Sequence, residues 1–160
     1  MRAFVVEKYG KDGLRASAVP EPTVRPCDVL VRVGAASINP LDKMVRNGEF
    51  KLLLKYKLPF VLGHDLAGVV SRVGPEVRDY KVGDQVYARP RDLRIGAFAE
   101  YIAIDQADIA LKPRPLTMEQ AAAGTTIGGP SFLTLSLLKR SASYALFQRA
   151  RPLLSSPPLE

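Results

Sequence analysis

The chain has 160 residues, 47% hydrophobic, 24% charged and 8% aromatic, with 23 basic against 16 acidic side chains and a net charge of +7. That composition excludes collagen-like chains, long disordered tails and disulfide scaffolds, and leaves an ordinary globular protein. At this length one core buries roughly two thirds of the unfolded surface, so a single domain is expected.

Ala3-Phe4-Val5-Val6 reads as a short apolar strand closed by Tyr9-Gly10 and Asp12-Gly13. Glu7 and Lys8 follow it too early for the apolar region of a secretory leader. Cys27 is the single cysteine, which forbids an internal disulfide. A cytoplasmic location is the simplest expectation. Val29, Val31, Val33 and Ala35 alternate with Leu30, Arg32 and Gly34, the period of a half-buried strand. Asn39-Pro40 then reads as a helix N-cap with proline at the first helical position. Leu41, Met44 and Val45 fall on one helical face, and Gly48 stands where the helix stops. Leu66 to Val73 is a β-rich run ending at Gly74-Pro75. Gln85 to Ala88 follows a Gly83-Asp84 turn, Ala97 to Ile104 reads as a further strand, and Asp108 to Lys112 as the last. Short strands at this spacing predict an all-β barrel or sandwich. Thr117-Met118-Glu119-Gln120 is a capping box that runs into Ala121-Ala122-Ala123 and predicts a second helix, stopping at Gly124.

Beyond Gly124 the character changes. Thr125 to Pro130 is loop-like, and Ser131 to Arg151 is a serine-rich, basic stretch with helical spacing at Leu135, Leu138 and Ala142. The expectation for residues 124–160 is an irregular or partly helical tail, with a basic amphipathic segment on a membrane surface as the other reading. No window carries about 18 uncharged apolar residues, so no stable membrane insertion is expected. Elsewhere the charges alternate in sign, and no basic stripe is interleaved with aromatics, so no nucleic-acid partner is expected.

The chemistry-bearing inventory is small. There is no G-x-G-x-x-G turn, no phosphate-binding P-loop and no G-x-S-x-G elbow. One histidine and one cysteine, 37 positions apart, do not make a His/Cys zinc site. Two polar clusters stand out: Ser37-Ile38-Asn39-Pro40-Leu41-Asp42, and Gly63-His64-Asp65-Leu66-Ala67-Gly68-Val69-Val70, in which a histidine and an aspartate sit between glycines ahead of a β-rich run. Glycines there suggest close backbone approach or a positive φ.

These clusters belong to an ordered series. Asn39-Pro40-x-Asp42 is followed by the Gly63 to Val70 string, Val73-Gly74, Val82 to Ala88, Gly96-Ala97-Phe98-Ala99-Glu100-Tyr101 and Lys112-Pro113. The series resembles the N-terminal GroES-like domain of the medium-chain dehydrogenase/reductase superfamily. The most similar branch is that of the zinc-free quinone oxidoreductases and enone reductases. The resemblance covers about residues 1–123 and leaves 124–160 as a tail outside the family pattern, with the Rossmann domain absent. It implies a distorted, GroES-like β-barrel with two short helices. It also implies NADPH-dependent reduction of a quinone or activated enone, a small-molecule substrate and no zinc.

The resemblance also places residues. In zinc-dependent relatives a cysteine ligand precedes the aspartate by three positions, and here Asn39 stands there. The cysteine-rich lobe would fall between Ala88 and Gly96, and Arg89-Pro90-Arg91-Asp92-Leu93-Arg94-Ile95 has none. Asn39 and Asp42 are the implied cofactor-binding residues, at the nicotinamide-ribose end. Phe50 and His64 are the implied substrate-lining residues. Some relatives carry a tyrosine where Phe50 stands; a phenyl ring stacks on a flat substrate but donates no proton. By itself this domain is expected to be inactive and to self-associate through the uncovered cleft face. The alternative reading is a non-catalytic barrel acting as a binding or assembly module.

Overall fold

The computed structural model describes residues 1–127. They form one compact unit, Met1–Ile127. The expected tail lies outside the described residues from 128 onward. Eight strands and two helices occur in the order β1 (Arg2–Val6), β2 (Leu14–Ala18), β3 (Asp28–Ser37), α1 (Pro40–Asn47), β4 (Phe60–Val61), β5 (Asp65–Val73), β6 (Gln85–Ala88), β7 (Tyr101–Asp105), β8 (Ile109–Leu111) and α2 (Met118–Ile127). A three-residue 3-10 turn, Gln106–Asp108, links β7 to β8.

Residues 1–127 fold into the expected β-dominated domain with two short helices. The strand pairings among the described residues are antiparallel, in a three-stranded sheet β2-β1-β4 and a five-stranded sheet β7-β3-β5-β6-β8; the two sheets are open, without a closed ring. β3 is the spine of the larger sheet. It pairs with β5 along most of its length and with β7 over Asp28 to Arg32. Two register shifts, at Leu30/Val31 and Val33/Ala35, bend it.

The inward residues of this sheet make the main core. Val29, Val31, Leu66, Val70, Val86, Ile102, Ile104 and Ile109 are buried together, and the Tyr80 hydroxyl is satisfied by the Ile109 carbonyl at 2.7 Å. Each such aliphatic side chain contributes about 1.5–3 kcal/mol by leaving water. α2 seats Met118, Ala121 and Ala122 on the opposite face, against Ala67 and Ala35.

Three expectations change. The run Ala97 to Ile104 is a strand only from Tyr101. Its first half crosses between the sheets instead: Phe98 N–H donates to Leu62, the Phe98 carbonyl accepts from Phe4, Glu100 N–H donates to Arg2, and its carbonyl accepts from Val33. α2 does not stop at Gly124 but reaches Ile127. A Cβ at Gly124 would meet nothing within 4 Å, and buried Thr125 returns its hydroxyl to the Ala122 carbonyl at 2.6 Å, so the turn continues. β2 and β4 are additional strands that the sequence pattern does not announce. Among the described residues no helix is long and apolar enough to cross a membrane.

Candidate functional site

α1 carries the first half of the site. Asn39 stands at its N-cap with extended backbone, φ −118° and ψ 158°, and Gly48 ends it in the left-handed region at φ 81°. The backbone N–H of Asn39 donates to Asp42 Oδ2 at 2.7 Å, one arm of a capping box. The Asn39 amide nitrogen reaches across to β5 and donates to Asp65 Oδ2 at 2.5 Å, with Ser37 Oγ at 3.4 Å.

β5 carries the second half. Gly63 precedes it at φ 108°, and a Cβ there would lie 2.5 Å from Phe98 Cδ1 and 2.7 Å from the Phe98 nitrogen. The Gly63 carbonyl accepts from Gly96 and Ala97 N–H groups, both at 3.0 Å. A left-handed, sterically walled position of this kind admits only glycine. It delivers His64 to the interior, where both His64 and Asp42 are 1% exposed. His64 Nδ1 lies 2.6 Å from Asp42 Oδ1. Asp42 therefore has both carboxylate oxygens engaged within the fold. His64 Nε2 is buried without a hydrogen-bond partner among the described residues.

The network continues outward through Arg89, whose Nη1 is 3.4 Å from Asp65 Oδ2. Arg89 belongs to a loop held down by arginines. Arg91 pairs with Asp108 through two hydrogen bonds of 2.7 and 2.9 Å, and Arg94 reaches buried Asp28 at 2.7 Å. Three arginines paired with carboxylates thus fix the segment in which a cysteine-rich lobe would have appeared. Cys27 lies elsewhere, donating to Glu76 Oε2 at 3.1 Å; that hydrogen bond to a carboxylate holds its thiol above the ordinary range.

The structure brings Asn39, Asp42 and His64 into one network and leaves Phe50 outside it. Phe50 is half-buried against the Val6, Val45 and Leu62 cluster, beside Tyr56 and Phe60. An open, largely apolar cavity of about 980 Å³ lies between β1, β2, β3 and α1, and of the expected site residues only Asp42 lines it. Leu62 and Phe98 form its inner wall, and Lys43 and Arg46 stand on its α1 side. Arg89 and the cavity residues Lys43, Arg46 and Phe98 are absent from the sequence expectation. For Arg89 a signal existed, three arginines in six residues, but nothing in the pattern tells which carboxylate each meets.

Residues 25–114 match the family model described as the alcohol dehydrogenase GroES-like domain. Among curated relatives, the chain is 38% identical over 127 residues to the mitochondrial NAD(P)H oxidoreductase RTN4IP1 of Dictyostelium discoideum, covering 76% of this chain and 36% of that protein. It is 40% identical over 130 residues to the chloroplastic NADPH-dependent alkenal/one oxidoreductase of Arabidopsis thaliana, covering 76% and 33%. Among solved structures, the quinone oxidoreductase from Coxiella burnetii superposes with a TM-score of 0.72 at 32% identity, covering 77% of this chain and 40% of that one. The chain therefore spans about a third of the length of the curated relatives it matches. Both relatives carry organelle names, whereas the sequence alone pointed to the cytoplasm.

Proposed function

Since the chain belongs to the alcohol dehydrogenase GroES-like domain family, we propose that it forms the substrate-side domain of a zinc-independent, NADPH-dependent reductase of quinones or activated enones. The observation that carries this reading is the state of Asn39. A zinc ligand presents a lone pair, but the amide nitrogen of Asn39 is a hydrogen-bond donor to Asp65. Among the described residues no three His, Cys, Asp or Glu side chains are grouped as a metal site. Both features support the zinc-independent reading.

The residues present fit one end of NADPH, which supplies a hydride when bound. Asn39, half-buried at the N-terminus of α1, is the contact for the nicotinamide-ribose end. Asp42 acts through its neighbours, because its two oxygens hold the Asn39 backbone and His64. Phe50 and His64 belong to the substrate side, and the proton that completes reduction comes from solvent. No glycine-rich strand-to-helix turn occurs among the described residues, so they offer no cradle for the pyrophosphate. The domain turns over only together with a nucleotide-binding domain.

Titration of the chain with NADPH at about 0.3 M salt, followed by nicotinamide fluorescence, tests this. The expected dissociation constant is above about 1 mM, with the response weakened in Asn39→Ala and no NADPH oxidation on adding a quinone. One or two hydrogen bonds of about 0.5–1.5 kcal/mol each do not offset the immobilisation of a dinucleotide. Micromolar binding that depends on Asn39 would show a self-sufficient cofactor site. Binding indifferent to Asn39 at any affinity would overturn the assignment.

Exposed apolar side chains favour a second reading, a binding or assembly module. Ile38, Leu52 and Leu53 are 84%, 87% and 81% exposed. Self-association is expected to appear as a concentration-dependent sedimentation coefficient and to weaken in Leu52→Ser/Leu53→Ser. A strictly monomeric chain at all concentrations removes this reading.

A further inference from the structure

The network around α1 ends on an atom that the fold does not use. The Asp42 carboxylate accepts from Asn39 N–H on one oxygen and faces His64 Nδ1 at 2.6 Å with the other. A carboxylate offers only lone pairs, so Nδ1 carries the hydrogen of that bond. In the neutral ring Nε2 is then a bare acceptor. It is buried and has no partner among the described residues. Buried acceptors in folded proteins are nearly always satisfied, so an unmet one marks a missing donor.

We propose that His64 Nε2 is the acceptor for a ligand hydroxyl group and that Asp42 is the residue that positions it. This rests on the reductase reading above. The ring is fixed in tautomer by Asp42 and in place by Gly63, whose own carbonyl is anchored to Gly96 and Ala97. A fixed lone pair accepts O–H and repels a carbonyl or carboxylate oxygen, so the site selects an alcohol or phenol over the corresponding carbonyl. In a quinone or enone reductase two ligand groups have that chemistry: a ribose hydroxyl at the nicotinamide end of the cofactor, and the hydroxyl of a reduced quinone. Asp42 also sets the spacing between this acceptor and Asn39, because one carboxylate holds both.

His64 is the single histidine of the chain, so a sample labelled with ¹⁵N in the imidazole ring gives one unambiguous pair of nitrogen signals. The full chain is titrated separately with reduced nicotinamide mononucleotide, with a water-soluble hydroquinone and with the matching quinone. The expected result is a saturable shift of Nε2 toward the hydrogen-bonded position with one of the two hydroxyl compounds, which names the source. Nδ1 stays in place, and the quinone produces no shift. In Asp42→Asn the Nδ1–H tautomer fraction falls and the ligand-induced Nε2 shift shrinks several-fold; an undiminished shift overturns the positioning role. Should that variant fail to fold, the titration of the unaltered chain decides alone. If backbone signals around Asn39 move while Nε2 does not, the inference falls and the reductase reading stands. If neither moves with any compound, the inference falls, and the reductase reading is decided by the NADPH titration with Asn39→Ala described above. An equal shift with quinone and hydroquinone also overturns the inference.

Discussion

Two groups of buried acids lie at opposite ends of β3 and are finished differently. Asp28, at the start of β3, accepts from Arg94 Nη2 at 2.7 Å and from the Arg25 backbone at 3.2 Å. Charge meets charge there, and the end of the strand is locked. Asp42 and Asp65 lie toward the other end of β3, with Asn39, His64 and a more distant Arg89 as partners. Their network is held mostly by neutral donors and terminates on His64 Nε2, which has no partner among the described residues. The first arrangement is what a fold needs. The second keeps a polar atom buried at a cost that folding alone does not explain.

That contrast can be broken in order of expected effect. Gly63→Ala should be the most damaging change, about 3 kcal/mol or more, because it combines a left-handed φ with a Cβ driven into Phe98. Urea unfolding midpoints measure it, and a loss below about 1 kcal/mol would mean that the frame behind His64 yields. Arg94→Ala comes next. It leaves Asp28 buried without its cation, at about 2 kcal/mol, which is below the range for fully buried pairs because Arg94 is 23% exposed. Arg89→Ala should cost under about 1 kcal/mol, since Asp65 keeps Asn39 and the Arg89 contact is longer and 29% exposed. Equal losses for the two arginines would erase the distinction between the clusters.

The smallest effect concerns acid stability. The Lys81 side chain and backbone hydrogen-bond Asp84 and hold its carboxyl below the usual range. The folded pKa is depressed, so this contribution is present above the unfolded value and is lost as pH falls through the folded one. Asp84→Asn should lower the neutral plateau slightly, leave stability below the folded pKa unchanged, and so flatten the acid limb. An equal loss at neutral and acid pH would instead assign Asp84 a packing role.

What the sequence announced follows from how local each signal is. α1 was readable from Asn39-Pro40 to Gly48 because caps act within one turn. β5 and β6 were readable because apolar β-formers run between glycine turns. β2 was not: Leu14-Arg15-Ala16-Ser17-Ala18 is a mostly exposed edge strand paired only with β1, and no buried face imposes alternation on it. Ala97 to Glu100 looked like strand because it is apolar, but its hydrogen bonds go to two sheets rather than along one. Asn39, Asp42 and His64 were named as site residues, yet the pairing of Asp42 with a residue 22 positions away is set by β3–β5 register, which no short spacing encodes. Gly124 misled because its cost in a helix is modest against the burial of Ala121, Ala122 and Thr125 around it.

The segment from Ala97 to Glu100 also dictates when this domain can come together. Arg2 receives its partner Glu100 from 98 positions downstream, and Phe4 is bonded to Phe98. On a ribosome adding roughly 5–20 residues per second, the first strand emerges roughly 5–20 s before the residues that seat it. Before Phe60 to Leu62 emerge, β1 has only its hairpin with β2, and two strands alone are marginal in water; the short β4 then joins, but the Phe98 seat of Phe4 is still to come. The domain is therefore assembled from its ends inward in sequence terms, a non-local closure of the kind that makes folding slow and leaves an early apolar strand in need of shelter.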